Sequence, residues 1–254
     1  MTGNKVGVVH MQRFASFTRS IALAALGFLL VASVAEAQRG PYERGQSRDI
    51  AGRFDYYSLV LSWSPTYCAG EAKSGDPQCR RQGRPYAFVL HGLWPQYERG
   101  YPERCQTRER PFVPNHIIDS MLDIMPSRKL VIHEYRKHGT CSGLTPKQYY
   151  DLSRRLYQKI TIPKQFANPQ QPMQVSPGEV VGAFLTANPN LRPDMLAISC
   201  RGSGNRMREV RICFSRQGEF RRCGSNENQR RLCTAPRMYV PPVRSAGGIP
   251  ETRL

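Results

Sequence analysis

Acid is scarce beside base in this 254-residue chain: 19 Asp and Glu stand against 37 Lys and Arg, and there are only five His and two Trp. After residue 34 no apolar run approaches the roughly 20 residues of a membrane-spanning helix, so the body of the chain is expected to be soluble. There is no G-x-x-x-x-G-K-[ST] loop and no G-x-G-x-x-G turn, so the two common backbone cradles for nucleotide phosphates are excluded. No internal repeat and no N-x-[ST] sequon occurs. The H-E-x-x-H zinc helix is missing too. His133-Glu134 is followed by His138 at i+5, whereas two zinc ligands on one helix face need i, i+4.

The first 37 residues have the form of a secretory signal. Lys5, Arg13 and Arg19 make a basic start, residues 21–34 an apolar run, and Ala35-Glu36-Ala37 an A-x-A cleavage site; Met11 offers a second start with a more usual signal length. The expected mature chain begins near Gln38 and, at about 217 residues, fits one domain. It would be secreted or periplasmic. All eight cysteines follow the cleavage point, and an even set in an exported chain implies four disulfides, among 105 possible pairings. Without its signal the chain keeps 34 basic and 18 acidic side chains, a net +16. Such a surface attracts polyanions, with nucleic acid the first candidate and anionic membrane or cell-wall polymer behind it.

Residues 38–53 are Arg- and Gly-rich and are expected to form a flexible basic leader. Residues 54–63 (FDYYSLVLSW) suit a core strand. Cys68 and Cys79 bracket a short polar loop that a local disulfide could close, and Arg80, Arg81 and Arg84 read as a solvated basic cluster. Residues 86–96 (YAFVLHGLWPQ) form a second apolar strand that delivers His91 at its end, beside Gly92 and Trp94-Pro95. Residues 97–111 are a surface loop. Ile117, Ile118, Met121, Leu122 and Met125 mark a helix stopped by Pro126. In the stretch 133–141 (HEYRKHGTC), residues 133–138 should be the end of another helix, with Gly139 its terminator. An advance of about 100° per residue places His133, Lys137, Glu134 and His138 within an arc of about 140°. Thr145-Pro146 and Ser176-Pro177-Gly178-Glu179 are start signals for two packing helices, separated by a loop over 163–177. Short strands are expected at 195–200, 209–215 and 220–223. Cys213 and Cys223 flank the last turn nearly symmetrically, as a cross-strand disulfide requires. Residues 237–254 read as a disordered tail.

The segments 91–95 (HGLWP) and 133–141 resemble the paired active-site motifs of the ribonuclease T2 family, in the family's order and approximate separation. The resemblance covers about 180 residues, 54–233, and sets a catalytic domain at 54–236. It implies an α+β fold, with a central antiparallel sheet flanked by helices and stabilised by disulfides. It implies a metal-independent endoribonuclease without cofactors, acting as a monomer on single-stranded RNA, with no membrane partner once the signal is removed. The expected products are 2′,3′-cyclic phosphates and then 3′-phosphates. In this assignment His138 is the general base and His91 the general acid. His133 binds phosphate, while Lys137 and Glu134 stabilise the transition state, Glu134 also orienting its neighbours. Trp94 and Tyr101 are candidate stacking residues and Gln96 a base-binding one. The same resemblance implies the pairs Cys105–Cys141, Cys200–Cys233, Cys213–Cys223 and Cys68–Cys79. Low base specificity is expected of the activity; two features depart from the family, Tyr135 where Trp is usual and Gln96 where Asp or Asn often follows the Trp-Pro pair, and the second leaves the base preference open. The chemistry also stands on the residues alone. Cleaving RNA without a metal needs one group to take the 2′-OH proton, one to protonate the leaving 5′-oxygen, and cations for the charge between them. Two other classes of reading remain open at this point: an RNA-binding protein that keeps the architecture without the reaction, and a zinc hydrolase.

Overall fold

The computed structural model describes residues 49–69, 75–79, 85–108, 110–202 and 204–243. The signal and most of the basic leader, Arg80, Arg81, Arg84 and the last eleven residues lie outside these.

Strand β1 (Tyr56–Trp63) is the centre of a six-stranded sheet. Its aromatic and branched side chains are buried on both faces, with Tyr56, Leu59, Val60, Leu61 and Trp63 at 0% exposure. On one side it pairs antiparallel with β2 (Phe88–Gln96), on the other with β5 (Arg206–Ser215). Strand β4 (Leu196–Arg201) adds antiparallel to β5. A short ribbon of β3 (Met173–Val175) and β6 (Met238–Val240) extends the sheet, β6 meeting β5 in parallel. The helices are α1 (Ser64–Ala69), α2 (Asn115–Met121), α3 (Arg128–Lys137), α4 (Pro146–Gln158), α5 (Lys164–Ala167), α6 (Pro177–Ala187) and α7 (Gln229–Leu232). This is an α+β fold.

Two devices in it position the site. The β1–β2 register slips between Val60 and Leu61, which pair with Gly92 and Leu90 and leave His91 as the extra residue of a bulge. A bulge bends its strand and re-aims the side chain it carries. The other device is the adjacent pair Tyr149 and Tyr150 on α4. The Tyr149 hydroxyl accepts from the Leu93 N–H at 3.3 Å and donates to the Leu93 carbonyl at 2.8 Å, while the Tyr150 hydroxyl donates to the Val131 carbonyl on α3. One turn of α4 therefore grips both His-bearing segments. Its own start is firm, because Thr145 and Gln148 form a capping box with Pro146 in the first turn.

The structure joins Cys68 to Cys79, Cys105 to Cys141, Cys200 to Cys233 and Cys213 to Cys223. Several sequence expectations are corrected. Residues 49–53, expected in the flexible leader, are tied down: Ile50 bridges Gln106, and the Gly52 N–H donates to the Cys141 carbonyl at 2.9 Å. The loop over 163–177 contains α5 and β3, elements of four and three residues, too short to show a period. Phe166 on α5 is fully buried near Trp63, Phe88 and Phe184. Residues 220–223 are not a strand, keeping one bridge from Phe220 to Phe214. The tail assignment is wrong for its first seven residues. Met238–Val240 is a sheet strand, and the Trp63 indole N–H donates to the Pro241 carbonyl at 3.1 Å. Gly139 does not end α3 either; His138 is its C-cap, and Gly139–Ser142 continues as a 3-10 turn.

Candidate active site

Helix α3 has Val131 and Tyr135 in the core and turns Glu134, His133, Lys137 and the capping His138 towards a cavity of about 420 Å³. Its opposite wall is β2, with His91, Trp94 and Gln96, and its rim is completed by Tyr101, Arg211 and Asn226. The structure thus brings all eight sequence-assigned catalytic and substrate-binding residues to one cavity. Tyr135, where the family usually has Trp, only packs: it lies edge-on to Tyr149 and its hydroxyl donates to the Leu144 carbonyl. The Cys105–Cys141 bridge ties the loop beyond β2 to the turn after α3, and beside it the Arg104 N–H donates to the Lys137 carbonyl at 2.7 Å.

Glu134 is 1% exposed and sits between the two walls. One carboxylate oxygen accepts from the Trp94 indole N–H at 2.7 Å, and the other lies 3.6 Å from His91 Nε2. Burial raises its pKa, against the opposing pull of His91, Trp94 and Lys137. Gly92 makes this close approach possible, since a Cβ there would fall 2.0 Å from Glu134 Oε2. Trp94, expected as a stacking surface for a base, lines the cavity and is also engaged by the site's own groups. Its ring stacks on His138 with centroids 4.9 Å apart, His91 meets it edge-on, and the Arg211 guanidinium lies 5.1 Å from its centre. The indole holds the site's own groups in place.

The three histidines have different surroundings. His138 is 4% exposed, and its pKa is pushed down to about 3 by burial, with Lys137, His91 and His133 adding to the effect. It is a neutral imidazole in ordinary solution, and its Nδ1 has no hydrogen-bond partner among the described residues. His133 is the most exposed of the three, and its pKa is lowered, first by the partial desolvation of its ring and then by Lys137. His91 goes the other way. Burial alone would lower its pKa, but the hydrogen bond to Glu209 and the charges of Glu134 and Glu209 outweigh it and raise the value. Lys137 carries its ammonium to the cavity and pairs loosely with Glu103, 3.4 Å away.

Sequence reasoning missed two groups here. Glu209 and Arg211 on β5 share a face, and Glu209 Oε1 lies 3.1 Å from His91 Nδ1. The other missed residue is Asn226. Its amide donates to Gln96 Oε1 at 2.8 Å and to the Gly100 carbonyl at 2.7 Å, and its own oxygen accepts from the Gly100 N–H. Gln96 is thereby buried and fixed, while Tyr101 is 53% exposed on the rim. As for zinc, the one group of potential ligands within 4.8 Å among the described residues is Cys213, Cys223 and Glu227. Its two sulfurs are bonded to each other, and it contains none of the histidines.

Residues 54–223 match the family model of the Ribonuclease T2 family. The chain is 37% identical over 202 residues to a ribonuclease of Aeromonas hydrophila, covering 78% of this chain and 91% of that one. It is 34% identical over 130 residues to Ribonuclease 3 of Arabidopsis thaliana, covering 45% and 57% of the two chains. Among solved structures, RNase NT in complex with 5′-AMP matches with a TM-score of 0.59 at 23% identity, covering 75% of this chain and 99% of that one. At that identity the likeness speaks for the fold, and the sequence matches speak for the activity. The chain belongs to the Ribonuclease T2 family and is an endoribonuclease.

Proposed function

We propose that the protein is an exported, metal-independent endoribonuclease that cleaves single-stranded RNA by transphosphorylation, with His138 as base and His91 as acid. His138 takes the ribose 2′-OH proton, and the 2′-oxygen attacks phosphorus. His91 gives its proton to the departing 5′-oxygen, leaving a 2′,3′-cyclic phosphate. In the slower second step water attacks the cyclic phosphate, the two histidines exchange roles, and a 3′-phosphate results. Lys137 and His133 hold the phosphate and the charge that builds on its oxygens. Glu134 orients rather than reacts, holding the Trp94 indole and facing His91. Because the nucleophile is the 2′-OH, DNA is inert.

The observation that carries this reading is the opposed electrostatics of two histidines on facing walls of one cavity. One is buried with its pKa pushed down, and the other has its pKa raised by two carboxylates. A pair of titratable groups pushed apart in this way is what acid–base catalysis needs. The buried Gln96 amide, the Asn226 amide and exposed Tyr101 form the candidate base site. An amide can present either donor or acceptor to a base edge, in keeping with low base specificity. No helix among the described residues is long and apolar enough to cross a membrane, and four disulfides favour an oxidising compartment, periplasm or medium. We take the working form to be a monomer. The test is incubation of oxidised mature protein with single-stranded RNA in excess EDTA. Products ending in 2′,3′-cyclic phosphate, with no cleavage of the matching DNA, support the reading. RNA that is bound but left intact, or cleaved only when zinc is restored, overturns it.

A further inference from the structure

Glu209 is a buried carboxylate on the central sheet to which the mechanism above gives no step of its own. It is 7% exposed. Oε1 takes the hydrogen bond to His91 Nδ1 at 3.1 Å. Oε2 accepts from Arg211 Nε at 3.1 Å and Nη2 at 2.9 Å, and from the Ser199 hydroxyl at 3.5 Å. Two features of the chain fix this geometry. Glu209 and Arg211 stand two apart on β5, so both side chains leave the same face of the sheet. The β4–β5 register also slips beside Glu209: Ser199 pairs with Glu209 and Cys200 with Met207, leaving Arg208 unpaired. His91 is likewise the extra residue of its own bulge. Bulges on two different strands therefore bring one carboxylate and one imidazole together.

We infer that Glu209, clamped by Arg211, is the positioning residue that fixes the ring orientation and tautomer of His91. The inference rests on the reading of His91 as general acid. A carboxylate on Nδ1 keeps the proton there in the neutral ring and leaves Nε2 to face the cavity, 3.6 Å from Glu134. Nε2 is then the nitrogen that gains a proton to become the acid and loses it to the 5′-oxygen. The carboxylate also stabilises the imidazolium, as in other His–carboxylate pairs. Against burial, which would raise it, the hydrogen bond to His91 and then Arg211 hold the Glu209 pKa down, and the Arg211 guanidinium near Trp94 joins the positioning group to the wall that carries His138.

Three charged groups act on His91: Glu209 and Arg211 from β5 and Glu134 from α3; His91 in turn lowers the pKa of His133 on α3 and of His138 at its cap. Of these only Glu209 touches Nδ1. Replacing it by Gln keeps the size and an acceptor but removes the charge. His91 then loses its proton at lower pH, and the limb on which activity falls with rising pH moves down by about one pH unit. The limb set by His138 stays in place. At the plateau kcat falls roughly tenfold or more with KM nearly unchanged, because an interaction made mainly to the acid is weakened.

The experiment is the pH profile of kcat/KM and kcat for wild type, Glu209→Gln and Glu209→Ala on a dinucleoside phosphate. It is joined to ¹⁵N NMR titration of the His91 ring in the wild-type protein. The inference expects a neutral His91 with its proton on Nδ1, and a falling limb displaced in Glu209→Gln. A folded Glu209→Gln with reduced stability but an unmoved limb overturns it, since a purely structural role would give that result. So does a neutral wild-type His91 protonated on Nε2, a measurement that needs no variant to fold. If wild type does not cleave RNA, the proposed function fails, and the NMR titration still reports whether Glu209 fixes the ring.

Discussion

Gly92→Ala places one methyl group at the point where the two walls of the cavity meet. The new carbon would lie 2.0 Å from Glu134 Oε2, 2.9 Å from Glu134 Cδ and 2.6 Å from Trp94 Nε1. A carbon and an oxygen settle at about 3.3 Å or more, so the carboxylate or the strand must give way by more than about 1 Å. The carboxylate has little room, being buried and hydrogen-bonded to Trp94 at 2.7 Å. Its retreat breaks that bond, worth about 1.5 to 3 kcal/mol when one partner is charged, and overpacking of this kind costs about 1 to 3 kcal/mol. Some of each is recovered by relaxation. A net loss of about 2 to 4 kcal/mol corresponds to roughly 5 to 15 °C in melting temperature for a domain of this size. Displacing His91 and Trp94 by about 1 Å lowers kcat/KM on the order of 100-fold. Thermal melting and dinucleotide cleavage read the two effects. Gly182→Ala is the internal control: nothing lies within 4 Å of its added methyl on α6, and it should be neutral or slightly stabilising. A Gly92→Ala protein with wild-type melting and wild-type kcat/KM would refute the account of how Glu134 meets β2.

Replacing Cys105 and Cys141 together by Ser opens a loop with a sequence separation of 36 residues, and chain entropy puts the loss at about 4 kcal/mol. Melting should fall accordingly and activity with it, because the bridge adjoins the Arg104 to Lys137 contact; unchanged melting contradicts this. The rate should depend on pH through the two histidines. As pH rises through about 3, His138 becomes the neutral base and kcat/KM climbs; above the ordinary histidine value near 6.5 it falls, as His91 gives up its proton on a limb displaced upwards. A base limb near 6.5 would rule out the buried, neutral His138. Stability follows the same groups. The unfolded chain protonates His138 below about 6.5 while the folded chain resists to about 3, so acid weakens the fold across that window. Glu209, held down to about 2, stabilises the fold above the usual carboxylate range, and this is lost as pH falls towards 2. His91 contributes stability below about 6.5, lost as pH rises through its raised folded value. Urea midpoints at stepped pH values should decline below about 6.5, and a flat response down to pH 3 would count against the burial described.

The features legible in the sequence were those with local signals. The capped helices α4 and α6 announce themselves by Thr145-Pro146 and Ser176-Pro177, and the apolar runs of β1 and β2 by composition. The His133 to His138 arc worked because it depends only on helix geometry. What escaped was set by long-range pairing. Met238–Val240 is too short to have a period and is a strand only because β3 and β5 lie beside it. Trp94 looked like a free stacking surface, since nothing in the sequence places Glu134, His138 and Arg211 around it. Glu209 and Arg211 left only a faint trace: two charges at i, i+2 on either side of Val210, in a half-strand that also carries Arg206 and Arg208. Their partner, His91, is 118 positions away and visible only through the fold.

The division of labour between His138 and His91 can be read from the leaving group. Cleavage of a dinucleoside phosphate should be compared with that of the matching nucleoside 3′-(4-nitrophenyl phosphate), whose departing oxygen needs no acid, in wild type, His91→Ala and His138→Ala. The account predicts that His91→Ala loses most of its activity on the dinucleotide and recovers most of it on the activated ester. His138→Ala stays impaired on both, since each still requires a base for the 2′-OH. Equal losses on the two substrates for His91→Ala, or recovery by His138→Ala instead, would contradict the assignment.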